Sequence, residues 1–205
     1  MEFQEVVDRR RMVRNYDPDR PIPPEVRERI LQNALHAPSA GFSQGWAFLV
    51  LDEPGDVATF WKVSDGGEEQ ENPWGAGLRR APMLIIPLSH KQAYLDRYAE
   101  ADKGLTDKSE SHWPVPYWDI DTGFASLLML LTVVDEGLAA CFFGIPPGDR
   151  MDAFRQAFGV PEDYTPIGVI SVGYRAKDVP SPSLKRGRRP VEDVVHHGSW
   201  GNRLA

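Results

Sequence analysis

Four apolar runs limit what this chain can fold into. They are "WAFLVL" (46–51), "PMLIIPLS" (82–89), "LAACFFGI" (138–145) and "PIGVISVGY" (166–174), and each reads as a strand. Helical patterns surround them. Phe3, Val6 and Val7 recur at spacings of three and four, which sets them on one face of a first helix. Pro23 and Pro24 suit the start of a second, where a missing N–H costs nothing. Its apolar stripe is Val26, Ile30, Leu31, Ala34 and Leu35. It should end before Pro38, because the residue preceding a proline disfavours helical backbone. The polar stretch "SDGGEEQENPWGAG" (64–77) reads as a loop, and the charged segment 91–110 as partly helical. Asp119 or Asp121 is expected to cap a long apolar helix over roughly 121–136. A short helix runs from Met151 to Phe158, with Gly159 placed to end it. Long helices with about four strands predict an α+β or α/β domain. No internal repeat is present. At 205 residues one domain is expected, with two small ones possible, and folding can bury about 70% of the unfolded surface.

Charge narrows the partners. With 23 basic and 30 acidic residues the net charge is −7, so nucleic acid and anionic membrane are expected to be repelled. One cysteine, Cys141, allows neither an intrachain disulfide nor a thiolate zinc cluster. The opening "MEFQEVVDRR" is charged and helical, unlike a signal peptide, and no uninterrupted apolar run has the length of a membrane span. A soluble, cytoplasmic protein is the expectation. The tail from Arg175 is rich in proline and arginine and has little to pack against itself, which suggests that it lies on a second subunit.

Two arginine groups stand out in this acidic chain. "RRRMVR" spans Arg9 to Arg14, and on a helix Arg10 and Arg14 point the same way. "KRGRRP" spans Lys185 to Pro190, and in an extended segment Arg186 and Arg188 share a face. Together they could clamp a dianionic phosphate through bidentate guanidinium forks. Each group alone could equally be solvated surface charge or pair with nearby acids. Neither a G-x-G-x-x-G after a strand nor a G-x-x-x-x-G-K-S/T occurs. Ser39 and Ser43 lack a G-x-S-x-G context, and His196 and His197 read as surface residues. The stretch "HAPSAGFSQGWAFLV" (36–50) packs far more small and polar residues between a helix and a strand than a plain connection needs.

Three segments together resemble the FMN-dependent nitroreductase family. "RRMVR" (10–14) is similar to its N-terminal R-R-S-x-R pattern, and "APSAGFSQGW" (37–46) to its A-P-S-x-x-N-x-Q-P-W. The third is the series "GLAACFFGI" (137–145), "PIGVISVGYRA" (166–176) and "KRGRRPVEDVV" (185–195). Their order and spacing match over nearly the whole chain. The resemblance implies a single α+β domain over 1–205: an α/β sandwich with a central, mostly antiparallel sheet flanked by helices, in an interlocked homodimer. The tail, about 176–205, would extend over the partner subunit. FMN would bind at the dimer interface. Arg10, Arg11, Arg186 and Arg188 would hold its phosphate and ribityl end, with Arg14 nearer the pyrimidine edge. Pro38, Ser39 and Ala40 would approach the flavin from the partner subunit, and Cys141, Phe142, Phe143 and Gly144 would run beside the ring, with a backbone N–H of Phe143 or Gly144 facing N5. Three positions depart from the pattern: Met12 replaces the serine, Phe42 the asparagine and Gly45 the proline. Phe42 either packs on the ring or faces the substrate. Each residue also has a plainer reading: Ser39 closes a turn, Gly41 supplies a special dihedral, Cys141 is a small core residue, and Trp46 and Phe48 fill the core.

The family reaction is ping-pong: NAD(P)H reduces the flavin, leaves, and a nitroaromatic or quinone-type acceptor takes its place. The flavin carries the chemistry, so no general acid or base and no metal is expected. Trp113, Tyr117 and Trp118, in "HWPVPYW" (112–118), together with Trp74, are candidates to stack on a planar substrate or to anchor a lid. Two alternatives stand beside the reductase. One is a specialised flavoenzyme on the same scaffold: a biosynthetic dehydrogenase, a dehalogenase or a flavin-fragmenting oxygenase. The Glu, Tyr and Lys lid expected for iodotyrosine dehalogenation is not seen just before "APMLIIP". The other is a non-enzymatic flavin-binding or storage protein. NADH versus NADPH, and FMN versus a deazaflavin, stay open at this level.

Overall fold

The computed structural model describes residues 1–65 and 73–203, with backbone alone at 65, 73 and 74. Among the described residues, seven α-helices are α1 (Phe3–Arg9), α2 (Pro24–Ala34), α3 (Pro54–Asp65), α4 (Pro73–Leu78), α5 (Lys91–Tyr98), α6 (Tyr117–Asp135) and α7 (Asp149–Phe158). Five strands are β1 (Trp46–Leu51), β2 (Met83–His90), β3 (Ala139–Phe143), β4 (Tyr164–Pro166) and β5 (Val169–Gly173). All strand pairings are antiparallel, in the order β1-β2-β5-β3, with β4 also on β2. This is the α+β architecture expected.

β2 shows why the sheet needs helices on both faces. Leu84, Ile86 and Leu88 enter one core with Val57, Phe60 and Trp61 of α3 and Phe154 of α7. Met83 and Ile85 enter another with Ile30 and Ala34 of α2 and Ala125, Met129 and Val133 of α6. Side chains alternate along a strand, so a strand apolar at nearly every position must be covered twice. Three layers follow: α3 and α7, the sheet, then α2 and α6.

The run 166–174 is two strands rather than one. β5 pairs with Met83–Ile85 and β4 with Leu88–His90, and between them Ile86 and Pro87 face the three residues 167–169. Pro87 has no N–H to give the ladder, and the extra residue makes a bulge. Ile167 still donates its N–H to the Pro87 carbonyl at 3.0 Å. Gly168 is required here, since a Cβ would come within 2.3 Å of the Phe142 ring.

Several local expectations are corrected. α3 occupies a region with no predicted element, and part of the expected loop 64–77 is α3 and α4, the rest lying outside the described residues. α6 begins at Tyr117 after Pro116, so Asp119 and Asp121 lie inside the helix and cap nothing. Only Val6 of the α1 stripe is buried, while Phe3 is 71% exposed. α6 has the length and composition of a membrane span, yet eight of its residues are buried against the sheet and α2. Gly159 ends α7 in the left-handed conformation as expected.

Candidate functional site

The first arginine cluster is not helical. α1 stops at Arg9, and Arg10 takes φ −56°, ψ 122°. The chain then runs beside β3: Met12 bridges Ala140, and the Val13 N–H donates to the Ala140 carbonyl at 2.9 Å. Met12 packs toward the α2/α6 face and Val13 is buried on the α3/α7 face. The pairing of Arg10 and Arg14 on a helix is therefore wrong. Tyr16 anchors the segment. Its hydroxyl donates to the Val13 carbonyl at 2.7 Å and lies 2.8 Å from Ser171 Oγ. Burial pushes the Tyr16 phenol far above its ordinary value, so it stays protonated.

The tail begins against this same segment. The Ala176 N–H donates to the Asn15 carbonyl at 3.0 Å, and Asn15 Nδ2 donates to the Lys177 carbonyl at 2.7 Å. Asp178 accepts the Arg14 N–H at 3.3 Å. Beyond, residues 182–192 are all exposed. Arg186 ends a short 3-10 turn, and Gly187 at φ 68°, ψ −179° redirects the chain. The two arginines thus do not share a face by strand alternation. Among the described residues, neither Arg10, Arg186 nor Arg188 has an acid partner, and Arg11 donates only to the Asp8 and Arg10 carbonyls.

Of the ring-side residues, Cys141 is buried and Phe142 and Phe143 pack half-buried against the core. Cys141 is 1% exposed, and burial raises its thiol above the ordinary value, which makes it inert core. The Phe142 ring covers Gly168, and Phe143 stacks on Trp61 at 5.6 Å and 9°. Both phenylalanine side chains are half-buried, and exposed Gly144 follows them. The Phe142 N–H points at Met12 Sδ, 3.3 Å away.

The loop after α2 is built with unusual backbone. Gly41, Phe42 and Gln44 have φ of 62°, 55° and 50°. Two of these are not glycine, and such residues persist only where their surroundings hold them. Pro38 is exposed, Ser39 and Ala40 are half-buried, and Phe42 offers a ring that is 75% exposed. Ser39 Oγ accepts the Gln44 N–H at 2.7 Å, which closes a turn. Gly41 and Gly45 have no room for a Cβ, since Tyr98 and Tyr94 crowd them at 2.5 and 2.4 Å.

Those tyrosines belong to an aromatic cluster. Trp113 stands at its centre, 4.5 Å from Tyr98, 5.8 Å from Tyr117, 5.9 Å from Tyr94 and 6.0 Å from Trp118. A cavity of about 350 Å³ opens between the cluster and the loop, walled by Ala40, Tyr98, Leu105, Trp113 and Tyr117. Trp118 is in the cluster but not on the cavity wall, and the side chain of Trp74 lies outside the described residues. A larger cavity, about 750 Å³ and bordered by Pro54, Val57, Trp61 and Pro82, shares no residue with the predicted contacts. The residues not anticipated are Tyr94, Arg97 and Tyr98. Arg97 Nε donates to the Gly41 carbonyl at 3.0 Å. Their sequence signal was only a charged, partly helical segment.

The Nitroreductase family description matches residues 7–174. The chain belongs to the nitroreductase family. A Bacillus subtilis relative named "Putative NAD(P)H nitroreductase YdgI" is 45% identical over 191 residues, covering 86% of this chain and 90% of that protein. An iodotyrosine deiodinase of Haliscomenobacter hydrossis is 26% identical over 216 residues, covering 95% and 89%. An Exiguobacterium sibiricum nitroreductase structure, solved in complex with FMN, shares the fold at TM-score 0.72 and 24% identity, covering 95% and 96%. Membership places this nitroreductase-family protein among the oxidoreductases.

Proposed function

We propose that this nitroreductase-family protein is an FMN-dependent NAD(P)H oxidoreductase that acts as a homodimer on nitroaromatic or quinone-type acceptors. The carrying observation is that Arg10, Arg186 and Arg188, from the two clusters that match the family pattern, meet no acid among the described residues of a chain of net charge −7. Cations left uncompensated in an acidic protein fit an anionic ligand, and the planar fork of arginine fits a phosphate. The described donor set therefore suits a flavin phosphate. Bound there, the flavin would supply the hydride chemistry. The chain's own part is to bind and orient it: arginines at the phosphate, the backbone at 142–144 beside the ring, and residues 38–42 from the second subunit. The cavity walled by Trp113, Tyr117 and Tyr98 gives a planar acceptor a place to stack.

The dimer reading rests on apolar surface. Phe42, Phe124, Leu127, Leu184 and Trp200 are 75%, 44%, 46%, 63% and 89% exposed in one chain. Phe124 and Leu127 stand three apart and so share one exposed face of α6, which a second subunit would cover. Size-exclusion chromatography with light scattering should give twice the 23.0 kDa chain mass. A monomer at micromolar concentration removes the shared site.

An anaerobic absorbance titration tests the activity. NADPH or NADH should bleach the flavin bands of the FMN-reconstituted protein and rank the two donors. A bound flavin that stays oxidised points to storage, and no bound flavin overturns the reading. The deiodinase relative favours a second reading, reductive dehalogenation, which turnover of a halogenated phenol by the reduced protein would reveal.

A further inference from the structure

We propose that Asp121 is a positioning residue for the flavin: it holds segment 38–42 in the conformation that meets the ring. This deepens the flavin reading and rests on it. Asp121 lies in α6, one turn past the helix start, and is 3% exposed. Its Oδ2 accepts two hydrogen bonds, from the Ala40 N–H at 2.8 Å and from the Tyr94 hydroxyl at 2.8 Å. Neither donor is a cation, and no ion pair of Asp121 occurs among the described residues. A carboxylate buried without a cation is costly unless hydrogen bonds satisfy it. The two hydrogen bonds supply that satisfaction, and the one from Ala40 fixes the loop.

What Asp121 holds is the strained loop. Ala40 immediately precedes Gly41 and Phe42, both at positive φ. Other bonds fix the remaining corners: Arg97 Nε to the Gly41 carbonyl at 3.0 Å, Ser43 Oγ to the Ala40 carbonyl at 2.7 Å, and the His90 N–H to the Gly45 carbonyl at 2.8 Å. Among the described residues, the Ala40 N–H bond is the one that ties the loop to α6. Tyr94 makes the acceptor one-sided. It is fully buried, and burial first, with Asp121 adding to it, pushes its phenol well above the ordinary value, so it stays a donor. Its oxygen is 3.5 Å from Ser39 Oγ, too far for a second firm bond.

The test measures flavin affinity and loop exchange in one set of variants. Protein freed of flavin is titrated with FMN and with riboflavin, following flavin fluorescence, and amide hydrogen exchange is read at residues 39–44 and in β2. Asp121→Ala should weaken both flavins equally, by about tenfold or more, and speed exchange at 39–44 while β2 keeps its protection. Asp121→Asn keeps an oxygen for the Ala40 N–H and should stay within about threefold of the unmodified protein. Tyr94→Phe, which retains the ring packed on Gly45, serves if Asp121→Ala does not fold, and should give a smaller loss of the same pattern. Unchanged affinity and exchange in Asp121→Ala overturn the proposal, as does faster exchange spread through β2. If the unmodified protein binds neither flavin, the flavin reading fails, and the proposal fails with it, while exchange at 39–44 still reports whether Asp121 holds the loop.

Discussion

Arg188→Ala is expected to weaken FMN binding by about thirty-fold or more and to leave riboflavin binding within about threefold. The two flavins differ only in the phosphate, so their ratio isolates the charged contact from the ring contacts. Arg188 is exposed in one chain and meets no acid among the described residues, so its removal disturbs no internal ion pair. Arg188→Lys should recover only part of the loss, because a point charge cannot reproduce the bidentate fork. Fluorescence titrations of the three proteins decide it. Equal losses for FMN and riboflavin would move Arg188 away from the phosphate, and no loss at all would remove it from the site. The pattern differs from that expected for Asp121→Ala, which acts on the loop and so weakens both flavins.

Phe60→Ala should lower the unfolding free energy by about 3–5 kcal/mol. Phe60 is fully buried and ties three elements together. Its ring meets Trp61 of α3 at 5.1 Å, Phe154 of α7 at 6.0 Å and Phe143 of β3 at 6.4 Å, all edge-on. Three aromatic edges leave a large void when the ring is removed, and neighbours on separate elements cannot all move inward to fill it. Urea unfolding at constant m-value measures the loss. A cost below about 1 kcal/mol would mean that the site collapses freely. Phe143 stacks on Trp61, so a loosened cluster should also disturb the end of β3, where residues 142–144 are proposed to meet the flavin.

Much of the framework was legible because its signals are local. β1, β2 and β3 stand where their apolar runs stand, α2 begins at Pro24 and Gly159 ends α7. Three sequence motifs in order also pointed to the family that matches residues 7–174. α3 was missed although Val57, Phe60, Trp61 and Ser64 carry helical spacing and are all buried. That spacing is local to 57–64, and a Gly- and Glu-rich stretch directly follows it. The split of 166–174 was not readable in the run itself. Its cause is Pro87 on the facing strand, nearly eighty residues away, and a strand's partner is chosen by packing.

The candidate site divides the same way. The residue types that could hold a phosphate, and the small-residue loop that could approach a ring, were visible in the chain. Their arrangement was not. Cys141, Phe142 and Phe143 looked alike as neighbours in one run, yet in β3 Cys141 is fully buried while Phe142 and Phe143 pack half-buried against opposite core faces. Asp121 looked like a helix cap because an aspartate ahead of an apolar run usually is one. In the fold it sits inside α6 and accepts the N–H of Ala40, eighty-one positions earlier. Strand and helix tendencies, net charge and the supply of arginines belong to the sequence alone, because they depend on neighbours a few residues apart. Which arginines are left without partners, which aromatic rings close on the loop, and which buried carboxylate holds it were decided only when the layers packed, because those contacts join segments that the chain keeps far apart.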